Sequence, residues 1–282
     1  MDNADYLKLL FRLTEEAGRV ALAQQDNISY SLKPDSSVVT QTDLAVSRLV
    51  RDGLRGLLSG PDHILIDEED HDHPEYLDQA FLDKVPYIWV MDPIDGTRSF
   101  SNHLPSFGIS IGVLKELKPW LSIVYLPLMD ELFYADGTSA YYLRRPFGSS
   151  PQPVMIQPVD QEITRQSVFW ANDTMIKQYD WDYGLCQAMH YSCAVFDLCY
   201  PAIGRGCGSF FNSYIWDFAG SWPIYEAAGL KLRAVDSGKT IDRLDASFFQ
   251  REGTNTWRVA GHYLLSSERN FPLIKAALPP RT

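Results

Sequence analysis

Two aspartates three residues apart, Asp92 and Asp95, close an apolar run in the segment YIWVMDPIDGTRSF, residues 87–100. Tyr87 to Met91 read as a buried strand. Carboxylates at the C-terminal end of such a strand project into the crevice where α/β sheets bind ligands. On a regular strand, residues three apart face opposite ways, so Pro93 is expected to break the strand and bend the chain until the two acids converge. Converged carboxylates repel each other, and the arrangement makes chemical sense around a hard dication such as Mg²⁺, which takes oxygen ligands. Gly96 permits a tight turn and, with Thr97, would open a helix whose free N–H groups favour a phosphate. Taken alone, the segment is equally compatible with a plain turn at Asp95-Gly96 in which both aspartates accept from backbone N–H groups.

The elements that must hold these acids follow from periodicity. Leu7, Leu10, Phe11, Leu13, Ala17, Val20 and Ala21 recur at helical spacing over 4–25. A second helix starts near Thr42, with Leu44, Val46, Leu49, Val50, Leu54, Leu57 and Leu58 on its inner face and Gly60 at its end. HILIDEED (63–70) predicts a short buried strand that ends in Asp67, Glu68, Glu69 and Asp70. FGISIGVL (107–114) and WLSIVYLP (120–127) predict further strands, and ELFYAD followed by GTSAYYLRR predicts a hairpin on Asp136-Gly137. Residues 144–162 are rich in Pro, Ser and Gln and mark the boundary between two halves. Beyond it, strand-like QSVFWAN and TWRVAG alternate with helix-like 182–204 and 216–229. Strands and helices mixed throughout predict a layered α/β or α+β protein.

The chain has 282 residues, of which 45% are hydrophobic, enough for a sizeable core in one unit or two packed halves. A formal net charge of −11 argues against sequence-independent binding to nucleic acid or anionic membrane, which needs basic patches. Cys186, Cys193, Cys199 and Cys207 form no C-x-x-C pair, which speaks against zinc and for reduced, buried thiols. There is no basic, then apolar, leader at the N-terminus, and no apolar run approaches the ~18–20 residues of a membrane span. A soluble cytoplasmic protein is expected.

Four segments, the first within the run already quoted, give the acids a context. DPIDGTRSF resembles the inositol monophosphatase family's D-P-[IL]-D-G-T-x-x-F. WDFAGSWPIYEAAG (216–229) resembles its W-D-x-A-x-x-x-x-x-x-E-A-G-G, apart from Ala228. VVTQTD (38–43) is similar to its V-T-x-x-D, and IDEED (66–70) to its G-E-E. The connecting segments LPSFGISIGV and CAVFDLCYPAIGR match as well, so the resemblance covers nearly the whole chain in the family's order.

The resemblance implies a five-layered αβαβα sandwich of the inositol monophosphatase/fructose-bisphosphatase type. It would form one unit over 1–282, with an N-terminal half (1–145) carrying most metal ligands. The C-terminal half (155–282) would carry Asp217 and the substrate wall. It also implies lithium-sensitive, Mg²⁺-dependent hydrolysis of a small phosphate monoester by an activated water, without a phosphoenzyme. Glu68, Asp92 and the Ile94 carbonyl would hold one Mg²⁺, and Asp92, Asp95 and Asp217 a second. Glu68 would reach a third, weaker ion. Thr40 and Asp43 would orient the water, and Thr97 joins them and Glu68 in the catalytic set. Substrate contacts would come from Asp95, Gly96, Thr97, Ser192, Ala194 and Asn212. Family members are often dimers, so a homodimer is an expectation. Each residue also has a plainer reading: Glu68 as a solvated acid in a turn, Asp217 as a helix cap after Trp216, Thr40 and Asp43 as a strand end and helix start.

Substrate choice is less clearly marked. The inositol phosphatases' ring-contacting glutamate falls here on Phe210 or Phe211 in GSFFNSYIWD, with Asn212 the nearest polar substitute. The family's G-[ST]-A becomes Ser192-Cys193-Ala194. Histidinol-phosphate and 3'-phosphoadenosine-5'-phosphate phosphatases of the same superfamily are therefore alternatives. A different class, a catalytically idle binding or regulatory protein, would have no use for five converging acids.

Overall fold

The structure, a computed structural model, describes residues 2–32, 38–71, 73–250 and 256–281. Helix α1 (Asn3–Gln24) buries Tyr6, Leu10, Leu13, Ala17 and Ala21 along one stripe. Strands β1 (Tyr30–Leu32) and β2 (Val38–Thr40) pair antiparallel and lead into α2 (Gln41–Leu58).

A seven-stranded sheet follows in sequence order. Its strands are β3 (His63–Asp67), β4 (Tyr87–Asp95), β5 (Gly108–Lys115), β6 (Lys118–Leu126), β7 (Glu131–Asp136), β8 (Ala140–Arg144) and β9 (Val154–Met155). β3 and β4 run parallel, and every later pair is antiparallel. Short helices α3 (Gln79–Leu82) and α4 (Thr97–Ser101) flank β4 in sequence. A five-stranded sheet comprises β10 (Val168–Trp170), β11 (Gln187–Met189), β12 (Gly208–Phe211), β13 (Lys231–Ala234) and β14 (Tyr263–Ser266), in the order β11-β10-β12-β14-β13. The helices that follow β9 in the chain are α5 (Asp173–Gln178), α6 (Ala194–Ala202), α7 (Ile215–Ala219), α8 (Trp222–Ala227) and α9 (Phe271–Ala276).

The layering follows from where adjacent strand residues go. Trp89 packs with Leu10, Leu13, Val46 and Val50 of α1 and α2. Its neighbour Val90 packs on the opposite face with Phe218 and Trp222 of α7 and α8. In the second sheet, Phe211 and Leu265 join that same inner core, while Phe210 and Leu264 face outward with Ile274 of α9. Both sheets thus bury both faces by strand alternation, which gives helix, sheet, helix, sheet, helix: the αβαβα sandwich. At Gly112 in β5 a Cβ would lie 2.5 Å from the Ala219 carbonyl oxygen, so α7 rests directly on the sheet.

Three expectations differ from the structure. β4 does not break at Pro93 but continues to Asp95. The segment 182–204 is helical only over Ala194–Ala202, because Gln187–Met189 pairs with β10 and Ser192 takes φ 54°. TWRVAG forms only isolated bridges, since Trp257 at φ 70° and Gly261 at φ 109° turn the chain; the strand comes after it, as β14. All four cysteines are buried free thiols. No helix among the described residues is long and apolar enough to cross a membrane.

Candidate active site

Asp92 pairs with Ser110 and Asp95 with Gly108, so β4 advances three residues while β5 advances two. The extra residue is a β-bulge, a device that re-aims side chains. It cancels the odd spacing and brings both aspartates to one side. Gly96, at φ 82°, then turns the chain into α4. A Cβ there would sit 2.8 Å from the Ser106 carbonyl and 3.0 Å from that of Ser192, so only glycine fits.

Asp217 arrives from the first turn of α7, held over the sheet at Gly112. Its Oδ2 accepts from the Tyr214 N–H at 2.8 Å and from the Ser213 hydroxyl. It caps the helix and still offers an oxygen to the cluster: Asp92, Asp95 and Asp217 each present one carboxylate oxygen, all within 4.8 Å of one another. Asp95 is aimed by α6, accepting from the Val195 N–H at 2.6 Å and the Cys193 thiol at 3.1 Å. Oδ1 of Asp92 is buried with no hydrogen-bond partner among the described residues.

Burial dominates the electrostatics. It pushes Asp92 well above the usual carboxylate range, and the neighbouring Glu68, Asp95 and Asp217 charges add to this. Asp217 is pushed up to about 7 by burial and then by Asp95. Asp95 is pushed up to about 6 by burial, against its hydrogen bonds from Val195 and Cys193. Three buried carboxylates with hard oxygen donors, one of them orphaned, fit a divalent cation. Glu68 follows β3 directly, lines the same cleft and raises the Asp92 pKa. Its backbone oxygen lies 2.6 Å from His71 Nδ1, and the His71 ring packs on Trp216 of α7. The loop of Glu68 is thereby tied to the helix of Asp217.

A second group adjoins the acids. Thr40 and Asp43 form a capping box at the start of α2, with the Thr40 N–H 2.9 Å from Asp43 Oδ2 and the Thr40 hydroxyl also donating to it. Across the site, Thr97 Oγ1 lies 3.2 Å from Asp43 Oδ1 and 3.0 Å from the Ile94 carbonyl. Burial pushes Asp43 up to about 6, partly offset by the Thr40 hydrogen bonds. The capping and site readings of Asp43 and Asp217 are therefore compatible.

A cleft of 330 Å³ opens over these residues. Gly96, Thr97, Ser192, Ala194 and Asn212 line it, along with Phe210 and Phe211. Both polar atoms of the Asn212 carboxamide are already engaged: its Oδ1 accepts from Asn172 at 2.9 Å and its Nδ2 donates to Thr174 at 3.0 Å. Ser192 Oγ is 3.2 Å from His190 Nε2. Three other lining groups carry no local signal in the sequence. Asp197 on α6 is buried, and burial pushes it well above the usual range. Asp173 gathers Arg98 at 3.6 Å and His190 at 3.7 Å. Arg258 lies in the stretch read as a plain strand.

Comparison with known proteins agrees with this architecture. The chain is 26% identical over 252 residues to the 3'(2'),5'-bisphosphate nucleotidase CysQ of Salmonella typhimurium, covering 88% of this chain and 97% of that one. It is 28% identical over 172 residues to the histidinol-phosphatase of Chlorobaculum parvum, 60% of each. A solved IMPase of Thermotoga maritima superposes with a TM-score of 0.73 at 19% identity, over 97% of this chain and 96% of that chain. The profile of the inositol monophosphatase family matches residues 2–264, and the chain belongs to that family.

Proposed function

We propose that this protein is a Mg²⁺-dependent phosphatase that hydrolyses a small phosphate monoester by direct attack of water. The observation that carries this reading is the convergence of Asp92, Asp95 and Asp217, with an orphaned Asp92 oxygen, beside the Thr97–Asp43 contact. Asp92, Asp95 and Asp217, with Glu68 and the Ile94 carbonyl, would hold the ions. Bound there, Mg²⁺ supplies Lewis-acid activation of water and neutralises charge on the phosphate and the leaving oxygen.

The chain's own groups do the rest. The Thr97 hydroxyl has one proton to donate, to Asp43 Oδ1 or to the Ile94 carbonyl; with that proton donated, its oxygen would accept from the attacking water. Asp43, held by Thr40 and pushed up to about 6, is suited to draw the water's proton through that hydroxyl near neutral pH. As the new P–O bond forms, the bond to the alcohol oxygen breaks, the leaving oxygen takes a proton from a water molecule, and Asp43 returns its proton to solvent. No side chain forms a bond to phosphorus.

The relatives' names put histidinol phosphate and 3'(2'),5'-bisphosphates beside inositol phosphates as substrates to test. The experiment is phosphate release from these compounds with and without Mg²⁺. Mg²⁺-dependent release from at least one is expected. No release from any of them would favour a binding role instead.

A further inference from the structure

We infer that Arg258 reads a second anionic group, a phosphate or a carboxylate, on the leaving-group side of the substrate. The inference rests on the phosphatase reading of the site and adds to it the charge class of the substrate.

Arg258 is half-buried in the cleft wall. Its Nε donates to the Asn212 backbone carbonyl at 2.9 Å, and its guanidinium carbon lies 5.9 Å from the Tyr214 ring centroid. One edge of the guanidinium is thus fixed. The two Nη groups have no hydrogen-bond or carboxylate partner among the described residues. That is unusual for a partly desolvated guanidinium, whose planar fork matches an oxyanion in two parallel hydrogen bonds. Arg98, at the same cleft, differs: it is more exposed and already paired with Asp173.

The backbone supports a recognition role. Arg258 bridges to Tyr214, whose N–H holds Asp217. The guanidinium is therefore fixed to the stretch that carries a cluster acid, displaced along the wall toward Asn212. The acids, Asn212 and Arg258 line one cleft, so a substrate whose phosphate sits on the acids shares that cleft with Arg258. The preceding residue, Trp257, is fully buried at φ 70°, a left-handed conformation costly for a bulky side chain. Such strain persists where the surroundings over-determine it, commonly at ligand sites. Arg258 faces a cleft otherwise rich in acids, among them Asp95, Asp197 and Asp217.

The test compares two substrate pairs, each sharing a scissile phosphate. One pair is glycerol 3-phosphate and 3-phosphoglycerate. The other, of longer reach, is adenosine 3'-phosphate and adenosine 3',5'-bisphosphate, followed by 3'-dephosphorylation. The wild type is expected to favour the anionic member of at least one pair by ten-fold or more in kcat/KM, mainly through KM. Arg258→Met is expected to lower that ratio at least ten-fold. Arg258→Gln, which keeps polarity without charge, should do the same if the methionine variant does not fold. No preference in either pair, or a preference that survives in a folded variant, overturns the inference. So does an equal loss on both members, which would mark a structural role through Asn212. Titration calorimetry with the anionic members reads the same dependence on Arg258 without turnover. A complete absence of hydrolysis therefore counts against the phosphatase reading alone.

Discussion

Thr97 Oγ1 and Asp43 Oδ1 stand 3.2 Å apart although 54 residues separate them in the chain. This contact joins the β4 bulge to the start of α2, and it places a hydroxyl between the acid cluster and a buried carboxylate. If it conducts the water's proton, Thr97→Val should lower kcat by about 100-fold or more, the range typical of a lost general base. Thr97→Ser should retain most activity. Asp43→Asn should lose comparable activity and also about 1 kcal/mol of stability, because Asp43 completes a capping box. Phosphate release and thermal melts, measured together, separate the two effects. Full activity in Thr97→Val would remove Thr97 from the mechanism.

Of the three clustered acids, Asp92 is the one with an orphaned oxygen, and Glu68, Asp95 and Asp217 crowd it. Asp92→Asn should abolish nearly all turnover and raise the melting temperature of the Mg²⁺-free protein, since it removes a buried like charge. Each kcal/mol of relieved repulsion is worth about 2–4 °C in a chain approaching this size. Near-normal turnover at saturating Mg²⁺ would refute the ligand assignment.

The same crowding sets a pH dependence. Asp95 and Asp217 are raised from 3.8 to about 6 and about 7 in the folded protein. The native state thus holds more protons than the unfolded chain between about pH 4 and 7. These acids therefore leave the Mg²⁺-free protein most stable below that window, and the contribution is lost as pH rises through it. The metal-free melting temperature should fall from pH 5 to 7.5 more steeply in the wild type than in Asp217→Asn, and Mg²⁺ should restore it at pH 7.5. Equal slopes in the two proteins would show that the acids are not coupled to folding.

Much of this site was legible in the sequence. An apolar run ending in acids, a Thr-x-x-Asp before an amphipathic helix and an Asp after Trp216 each carry a local signature, and the fold brings all of them to one cleft. The bulge was not legible: Pro93 reads as a strand breaker, and only the β4–β5 register shows one extra residue instead. Asp197 was hidden inside an apolar helix, where one polar residue among Val195, Phe196, Leu198 and Cys199 has no periodic signal. Arg258 was hidden because its role depends on the Asn212 carbonyl, 46 residues away. The supposed helix over 182–204 failed where pairing of β11 with β10 overrode local pattern.

Gly96 tests the turn itself. Its φ of 82° and the carbonyls of Ser106 and Ser192 leave no room for a Cβ. Gly96→Ala should cost about 1–2 kcal/mol from the left-handed backbone alone, and more from the backbone clash. Turnover should fall too, because Asp95 and Thr97 flank the turn. A variant with unchanged melting temperature and activity would show that the turn relaxes freely.

The last prediction concerns discrimination among neutral substrates. A wall that reads vicinal hydroxyls needs open acceptors, and a site with such acceptors rejects analogues lacking the hydroxyls steeply. Here Phe210 and Phe211 are buried in opposite cores, and the Asn212 carboxamide is held by Asn172 and Thr174. Inositol 1-phosphate and glycerol 3-phosphate, both uncharged beyond the scissile phosphate, should therefore differ by less than about 100-fold in kcat/KM. Asn212→Ala should act mainly on stability, since it strands Asn172 and Thr174, at about 1–3 kcal/mol for partners left unsatisfied, while leaving the ratio between the two substrates within a few-fold. An inositol phosphate preference of several hundred-fold, about 3–4 kcal/mol of transition-state discrimination, would instead mean that the carboxamide turns from its partners to the substrate. Asn212→Ala would then collapse the ratio rather than the melting temperature.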